Sequence, residues 1–131
     1  MNRSEMREQA FYLLYEKEFF EEKSCAEIEE VFIENFAELS DYGRLCFETA
    51  FDNRDKLDEI ISKYLKGWRI NRIPKVNLAI LRLALCEMLY FDEVPESVAI
   101  NEAVELAKKF SGDGDYSFIN GILGSYSRDK E

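Results

Sequence analysis

The side chains that could carry chemistry in this sequence are carboxylates and three thiols, because histidine is absent from all 131 residues. Histidine is the commonest acid–base group at neutral pH and the commonest ligand for transition metals. Cys25, Cys46 and Cys86 lie far apart and form no C-x-x-C pair. We therefore expect no metal site and no cofactor. Because no signal peptide is recognisable, the thiols are expected to be reduced, in the core or half-buried, in a cytoplasmic protein.

Sequence motifs of common enzyme classes are also missing. The chain has no G-x-S-x-G nucleophile motif and no glycine-rich phosphate loop. Such motifs place a nucleophile or a phosphate beside the groups that activate it. We expect a binding protein and not an enzyme.

Charge is unevenly distributed along the chain. Residues 16 to 59 hold fifteen Asp or Glu and five Lys or Arg, which accounts for the whole net charge of −10. An acidic surface repels nucleic acid. Residues 63 to 82 contain no carboxylate and six basic side chains: Lys63, Lys66, Arg69, Arg72, Lys75 and Arg82. The sequence thus predicts an acidic half and a basic belt, where the belt means these six residues.

Apolar residues recur at helical spacing along the chain, and no segment has the alternation of a strand. The pattern predicts a helix over 4–20, a second one after a capping box of Ser24 and Glu27, and a third from Ser40 to Gly67. A connector over 68–73 leads to a nearly uniformly apolar helix over 76–91, which is too short for a membrane span. Two more helices follow, the last from about Asp115. We expect an all-α fold, with residues 1–131 forming one compact domain of about seven helices.

Two charged residues inside the apolar segment 76–91 are expected to be structural. A buried arginine must find acceptors, so Arg82 requires a carboxylate partner. We expect Glu102 to be one acceptor for Arg82, and Glu87 to have a structural role as well.

The stretch from Val94 to Gly124 has the most specific wording. It contains I-N-E-A-V-E-L-A-K-K-F and, eight residues after Phe110, F-I-N-G-I-L-G. Two further segments are R-E-Q-A-F-Y-L-L-Y at 7–15 and A-I-L-R-L-A-L-C-E-M at 79–88. In their order along the chain, and at this chain length, the three segments resemble those of the NusB family of transcription antitermination factors.

The resemblance implies a fold and a function. It implies two three-helix bundles packed together. It also implies binding of a single-stranded RNA element, box A, together with the small-subunit ribosomal protein NusE, within the transcription elongation complex on ribosomal RNA operons. Only two basic residues occur in the first fifteen positions, beside Glu5 and Glu8. We therefore expect weak RNA binding by the isolated chain and stronger binding with a basic partner.

Site residues follow from the same resemblance. The positions that match RNA-contacting positions of the family are Arg3, Arg7, Tyr15 and Phe118. Arginine can pair with phosphate, and aromatic faces can stack on unpaired bases. The positions that match the NusE-contacting start of the central helix are Arg72, Lys75 and Asn77.

Simpler explanations stay open for several of these residues. Tyr15 can belong to the core with its hydroxyl at the surface. Phe118 can join Ile119, Ile122 and Leu123 in a stripe that docks the last helix, and Gly121 can let two helices approach closely. The whole chain can also be a helical protein-docking module with little or no RNA binding. The sequence leaves open whether the free protein is a monomer or a homodimer.

Overall fold

The computed structural model describes residues 1–130 and contains no β-strand within them, which confirms the predicted all-α fold. Its helices are α1 (Arg3–Lys17), α2 (Cys25–Asn35), α3 (Asp41–Asp52), α4 (Arg54–Lys63), α5 (Lys75–Tyr90), α6 (Glu96–Phe110) and α7 (Asp115–Asp129). A turn of 3-10 helix, Ile70–Arg72, lies between α4 and α5. None of the helices in this part of the chain is long and apolar enough to cross a bilayer.

Side-chain caps define the starts of the first three helices. The predicted capping box of Ser24 and Glu27 is present at α2, and Ser40 caps α3 by accepting from the Gly43 N–H at 3.0 Å. A second capping box, which the sequence reading missed, begins α1: Asn2 accepts from the Glu5 N–H at 2.8 Å, and the Glu5 carboxylate accepts from the Asn2 N–H at 2.9 Å. These bonds satisfy backbone donors that have no partner within the helix.

The single helix predicted from Ser40 to Gly67 is wrong, because the chain breaks at Asn53 into α3 and α4. Asn53 leaves the helical conformation, with φ −109° and ψ 20°. Its side-chain amide donates to the Thr49 carbonyl at 2.8 Å. An asparagine side chain competes in this way with the helical backbone. The apolar period continues across the one-residue break, so periodicity alone could not reveal it.

Helix α5 lies at the centre and packs against α1, α3, α4, α6 and α7. Twelve of its residues, from Asn77 to Met88, are buried. Arg82 is among these buried residues. It makes two hydrogen bonds to Asp58 of α4, at 2.8 and 2.9 Å, and one to Glu18 at 2.9 Å. The prediction that Glu102 accepts from Arg82 is therefore wrong. Arg82 therefore joins α5 to α4 and to the C-terminal end of α1.

A second buried charge network joins four helices around Glu87 of α5, which is 1% exposed. Arg7 of α1 donates to both Glu87 oxygens through Nε, at 2.8 and 3.0 Å, and to Glu102 of α6 through Nη1 at 3.0 Å. Tyr42 of α3 donates its hydroxyl to the same carboxylate. Burial tends to lower the pKa of Arg7, but the bond and charge of Glu87 raise it overall. Arg7 thus stays charged inside the protein.

Helices α1 and α3 approach closely at Gly43. A Cβ at this position would lie 2.8 Å from the Ser40 hydroxyl oxygen and 3.1 Å from the Met6 carbonyl oxygen. Gln9 of α1 bridges the same contact, since its Oε1 accepts from the Ser40 N–H at 3.0 Å. The small residue therefore allows the contact that brings Tyr42 within reach of Glu87.

Two predicted core thiols are buried, and the third is half-buried as expected. Cys46 and Cys86 are fully buried in the apolar interior, and Cys25 is partly exposed beside α1. Burial raises the pKa of Cys46 to about 12 and that of Cys25 to about 11. Burial also raises the pKa of Cys86, so all three thiols are poor nucleophiles at neutral pH.

Breaking the Glu87 network should destabilise the protein strongly. Arg7→Met leaves a buried carboxylate without its cation, so we expect the free energy of unfolding to fall by about 3 to 5 kcal/mol. Replacing both partners, Arg7→Met with Glu87→Met, should recover much of this loss because no buried charge remains. Urea denaturation of the three proteins measures the difference. Lys108→Ala, at an exposed position, is the control, and equal stability of Arg7→Met and this control would contradict the account.

Another carboxylate, Glu29 of α2, is buried beside Glu48 of α3. Its Oε2 is buried and accepts no hydrogen bond from the described residues, while Oε1 lies 3.6 Å from Arg44. Burial, together with the neighbouring Glu48, raises the pKa of Glu29 to about 7. The folded protein therefore holds a proton here that the unfolded chain releases at lower pH.

This raised pKa predicts a stability that declines as pH rises. The folded pKa exceeds the unfolded one, so the stabilising effect is complete below about pH 4.5 and is lost as pH rises through about 7. Glu29→Gln, which keeps the shape without the charge, should be more stable than the parent at pH 8 by about 1 to 3 kcal/mol and similar to it at pH 5. Urea denaturation at the two pH values measures this. An equal effect of the variant at both values would contradict the assignment.

Candidate nucleic-acid interface

Four aromatic rings from α1, its C-terminal extension and α6 form a continuous row, which we call the aromatic row. Phe11, Tyr15 and Phe19 follow one another at four-residue intervals, which places them on the same side of α1 and of the turn that follows it. Ring centroids are 6.2 Å apart for Phe11 and Tyr15, and 5.0 Å apart for Tyr15 and Phe19. Phe110 at the end of α6 extends the row, 5.0 Å from Phe11.

The ends of the aromatic row are open to solvent. Phe19 is 52% exposed and Phe110 is 40% exposed, whereas Phe11 is buried and Tyr15 is half-buried. The Tyr15 ring packs on Phe11 and Phe19 while part of the residue stays exposed, so both explanations considered for it stay open. Partly exposed rings held by their neighbours offer flat apolar faces at little entropic cost.

A cation lies at each end of the row. The ammonium of Lys75, the first residue of α5, is 5.5 Å from the centre of the Phe19 ring. Lys109 is 5.2 Å from the centre of the Phe110 ring and also pairs with Glu8 at 2.9 Å. Lys75 also stands at the positive end of the α5 dipole. Flat rings beside cations are suited to unpaired bases and their phosphates.

Phe118 lies near the N-terminus of α5 but outside the aromatic row. It is 38% exposed and lines a cavity of about 310 Å³ with Arg72, Pro74 and the connector residue Trp68. Its neighbours Ile119 and Leu123 are fully buried and Ile122 nearly so, so these three residues dock α7. Phe118 is thus separate from the docking stripe, and Pro74 and Lys75 connect its cavity to the aromatic row.

Asn77 is 2% exposed, so its side chain is not presented to a partner. The expected direct contact with a partner does not agree with this burial, and Asn77 instead positions its neighbours. Its amide donates to Asp115 at 3.3 Å and accepts from the Ser111 hydroxyl. Ser111 also donates to Asp115 at 2.7 Å, as does the Gly112 N–H at 3.2 Å. The Ser111 and Asn77 bonds lower the pKa of Asp115. This cluster fixes the loop between α6 and α7 against the start of α5, and with it the position of Phe118.

The two N-terminal arginines have different environments. Arg7 is 5% exposed and bound to Glu87 and Glu102, so its guanidinium faces inward, and the expected phosphate contact is replaced by a structural one. Arg3 is exposed and lies 3.8 Å over the Tyr42 ring. It is twelve residues before Tyr15, or about 18 Å along the helix. Arg3 is available to a ligand but does not touch the aromatic row.

Several residues of this surface were not assigned a role from the sequence. The four-residue spacing of Phe11, Tyr15 and Phe19 could have indicated that the three rings share one face. Phe110, the fourth ring, is the last residue of α6. The other two expected partner contacts, Arg72 and Lys75, are exposed. No group of three or more Cys, Asp or Glu side chains within residues 1–130 is arranged to hold a metal ion.

Comparison with known proteins identifies the family that shares this fold. The model of the NusB family matches residues 4–128. The transcription antitermination protein NusB of Lachnoclostridium phytofermentans is 42% identical over 127 residues, which cover 94% of this chain and 96% of that protein.

Solved structures of NusB proteins have the same fold as this chain. NusB of T. maritima is 30% identical, with a TM-score of 0.88 over 98% of this chain and 92% of that one. A chain in the crystal structure of the antitermination factors NusB and NusE in complex with dsRNA is 27% identical, with a TM-score of 0.81 over 94% of this chain and 93% of that one.

The division between Phe118 and its neighbours predicts different effects on stability. Phe118→Ala removes a side chain that is more than one-third exposed, so the free energy of unfolding should fall by about 1 kcal/mol or less. Ile119→Ala removes a fully buried side chain and should cost about 2 to 5 kcal/mol. Thermal or urea unfolding of both variants tests this. A loss for Phe118→Ala as large as that for Ile119→Ala would assign Phe118 to the core.

Proposed function

The chain belongs to the NusB family, and we propose that it is a transcription antitermination factor that binds RNA together with the ribosomal protein NusE. The proposal takes residues 1–131 as one RNA-binding domain without enzymatic activity of its own. Its site of action is the cytoplasm, where bacterial transcription takes place. The observation that carries the proposal is the aromatic row flanked by Lys75 and Lys109, close to the second exposed aromatic, Phe118.

Single-stranded RNA of the box A type is the proposed ligand. Base-paired RNA hides its base faces, whereas unpaired bases can stack on aromatic side chains. Phe19, Tyr15 and Phe118 offer partly exposed ring faces on both sides of the α5 N-terminus. We propose that bases stack on Tyr15 and Phe118 and that exposed Arg3 contacts a phosphate. Arg7 supports this site from within by holding α1 against α5 and α6.

NusE is proposed to dock beside the RNA, at the start of α5. Arg72 and Lys75 are exposed there, and Asn77 keeps the adjoining loop in place. Most of the acidic half lies away from the start of α5: α2 exposes Glu27, Glu30 and Glu34, although the exposed Glu21 and Glu22 follow Phe19 closely. A basic partner can therefore complete a positive RNA groove although the chain itself carries −10.

A protein-docking module with little RNA binding is the alternative function. The observation in its favour is the scarcity of basic residues on α1: Arg3 is exposed, but Arg7 is committed to Glu87. The two functions differ in what the aromatic rings contact. Under the alternative, replacing Tyr15 or Phe118 changes NusE binding and leaves RNA binding unaffected.

The test is an RNA titration of the complex with NusE. Tyr15→Ala and Phe118→Ala should each weaken binding of single-stranded RNA by about 5- to 100-fold, because each removes a stacking face. Arg3→Ala should weaken all RNAs alike and reduce the slope of log K against log salt by about 0.7. Fluorescence anisotropy of a labelled oligoribonucleotide measures both quantities.

Matched controls keep this test specific. Leu45→Ala removes an apolar side chain that is 53% exposed on α3 and belongs neither to the aromatic row nor to the Phe118 cavity, and it should leave RNA affinity unchanged. Circular dichroism and urea denaturation check that each variant is folded. If duplex RNA of the same sequence competes as well as the single strand, or if the ring variants bind like the parent, the stacking site is wrong.

A further inference from the structure

Trp68 is the single tryptophan of the chain, and its side chain is 68% exposed, more than that of any other large hydrophobic residue among positions 1–130. It lies in the connector between α4 and the 3-10 turn. A side chain of this size contributes most to folding when it is buried. The fold therefore gains little from Trp68 in this position.

The backbone nevertheless holds Trp68 in a defined place. The two preceding residues have left-handed conformations, with φ 45° at Lys66 and φ 92° at Gly67. Within the described chain, Lys66 is the only residue other than glycine with a positive φ, a conformation that costs free energy for any residue with a Cβ. The Trp68 N–H donates to the Leu65 carbonyl at 3.0 Å and closes the turn. A strained turn thus presents the indole to solvent.

Trp68 and Phe118 stand between two neighbouring cavities and line both of them. One is the 310 Å³ cavity already described beside Arg72, and the other measures about 480 Å³. The larger cavity is also lined by Tyr64, Lys66 and Arg128. Both volumes fall in the range of about 300 to 1,000 Å³ that is usual for ligand sites.

Gly121 of α7 lines the larger cavity. A Cβ added there would meet no atom within 4 Å, and its φ is not in the left-handed region. The suggestion that Gly121 permits a close approach of helices is therefore wrong. Glycine inside a helix is less stable than alanine, and here neither packing nor backbone conformation requires it. Its effect is to leave space beside Phe118 and Trp68.

The charges around the two cavities favour an anion. Lys66 and Arg128 flank the larger cavity, and Arg72 flanks the smaller one. Asp115 also lines the smaller cavity and stays negative, with its carboxylate turned to Ser111 and Asn77 by hydrogen bonds. Asp129 lies close to the Tyr64 hydroxyl, whose pKa is raised first by burial and then by this carboxylate. Two exposed rings with three cations around them match unpaired nucleotides, since rings stack on bases and cations bind phosphates.

We propose that the RNA path continues past Phe118 onto Trp68, with unpaired bases stacked on the two rings and with Lys66 and Arg128 contacting the phosphates, next to the NusE-docking residue Arg72. This inference rests on the proposed function, because it extends the same RNA path. It adds a binding site in the connector, beyond the aromatic row, and assigns a role to the strained turn at Lys66 and Gly67.

The single tryptophan makes a direct test. Trp68 emission is followed while the complex of the full chain with NusE is titrated with single-stranded oligoribonucleotides of increasing length. The same titration of the Trp68→Phe complex is subtracted to remove any signal from NusE. We expect RNA long enough to reach the connector to quench the emission with the same midpoint as binding. Trp68→Ala should weaken binding of that RNA by about 5- to 100-fold, and Trp68→Phe should restore most of the affinity.

A second variant tests the cavity without removing the indole. Gly121→Leu fills the space beside Phe118 and should lower the affinity for long RNA while the protein stays folded, because leucine is a better helix former than glycine. Leu45→Ala, at an exposed apolar position on α3 outside both cavities, should have no effect.

The possible failures are distinguishable. If the parent complex binds no RNA, both this inference and the proposed function are overturned. If it binds RNA but Trp68 emission does not change and the Trp68 and Gly121 variants bind normally, only the inference fails. If NusE alone changes the emission and Trp68→Ala weakens NusE binding and not RNA binding, the connector is a protein interface and the RNA assignment is wrong.

Discussion

The arrangement of helices depends on one buried carboxylate, Glu87. A charge in the protein interior must be compensated locally, because the loss of hydration costs several kcal/mol. Arg7 and Tyr42 supply this compensation, and Arg7 also reaches Glu102. These four residues belong to α5, α1, α3 and α6. Apolar packing can tolerate small rotations of a helix, whereas the charge-assisted, bifurcated bond from Arg7 Nε to both Glu87 oxygens, at 3.0 and 2.8 Å, ties α1 to α5 at one position.

The candidate site follows from that constraint. With α1 fixed against α5 and α6, Phe11 meets Phe110, and Phe19 meets Lys75 at the start of α5. The loop cluster of Asn77, Ser111 and Asp115 then sets the position of α7 and of Phe118. Buried polar groups thus define the frame, and the exposed rings and cations attached to it are free to meet a ligand. This division explains why Arg7 and Asn77 sit in segments associated with binding and yet point inward.

The polarity of the molecule fits an assembly of several components. The acidic residues of α2 and the basic belt occupy different parts of the chain, and five of the six belt residues are exposed. Arg82 is the exception, since it is buried between Asp58 and Glu18. A net charge of −10 opposes nonspecific binding to nucleic acid, so recognition has to come from stacking and from a basic partner. Such an arrangement favours RNA bound within a complex over RNA in general.

The sequence by itself determined the helical class, most helix starts and the family. These features are local, because capping bonds and helical periodicity involve residues three or four positions apart, and the signature segments can be read in order. The sequence did not reveal the helix break at Asn53, where the side-chain amide and the backbone N–H both donate to the Thr49 carbonyl and the apolar period continues across the break.

Only the tertiary structure decided which polar residues face inward. Arg3 and Arg7 are four residues apart on one helix, but Arg7 meets a carboxylate eighty positions away. In the same way, Arg82 met Asp58 and Glu18 instead of Glu102, and Phe118 lies outside the stripe formed by Ile119, Ile122 and Leu123. Burial depends on which helices pack together, and a contact between distant segments leaves no periodic signal in the sequence.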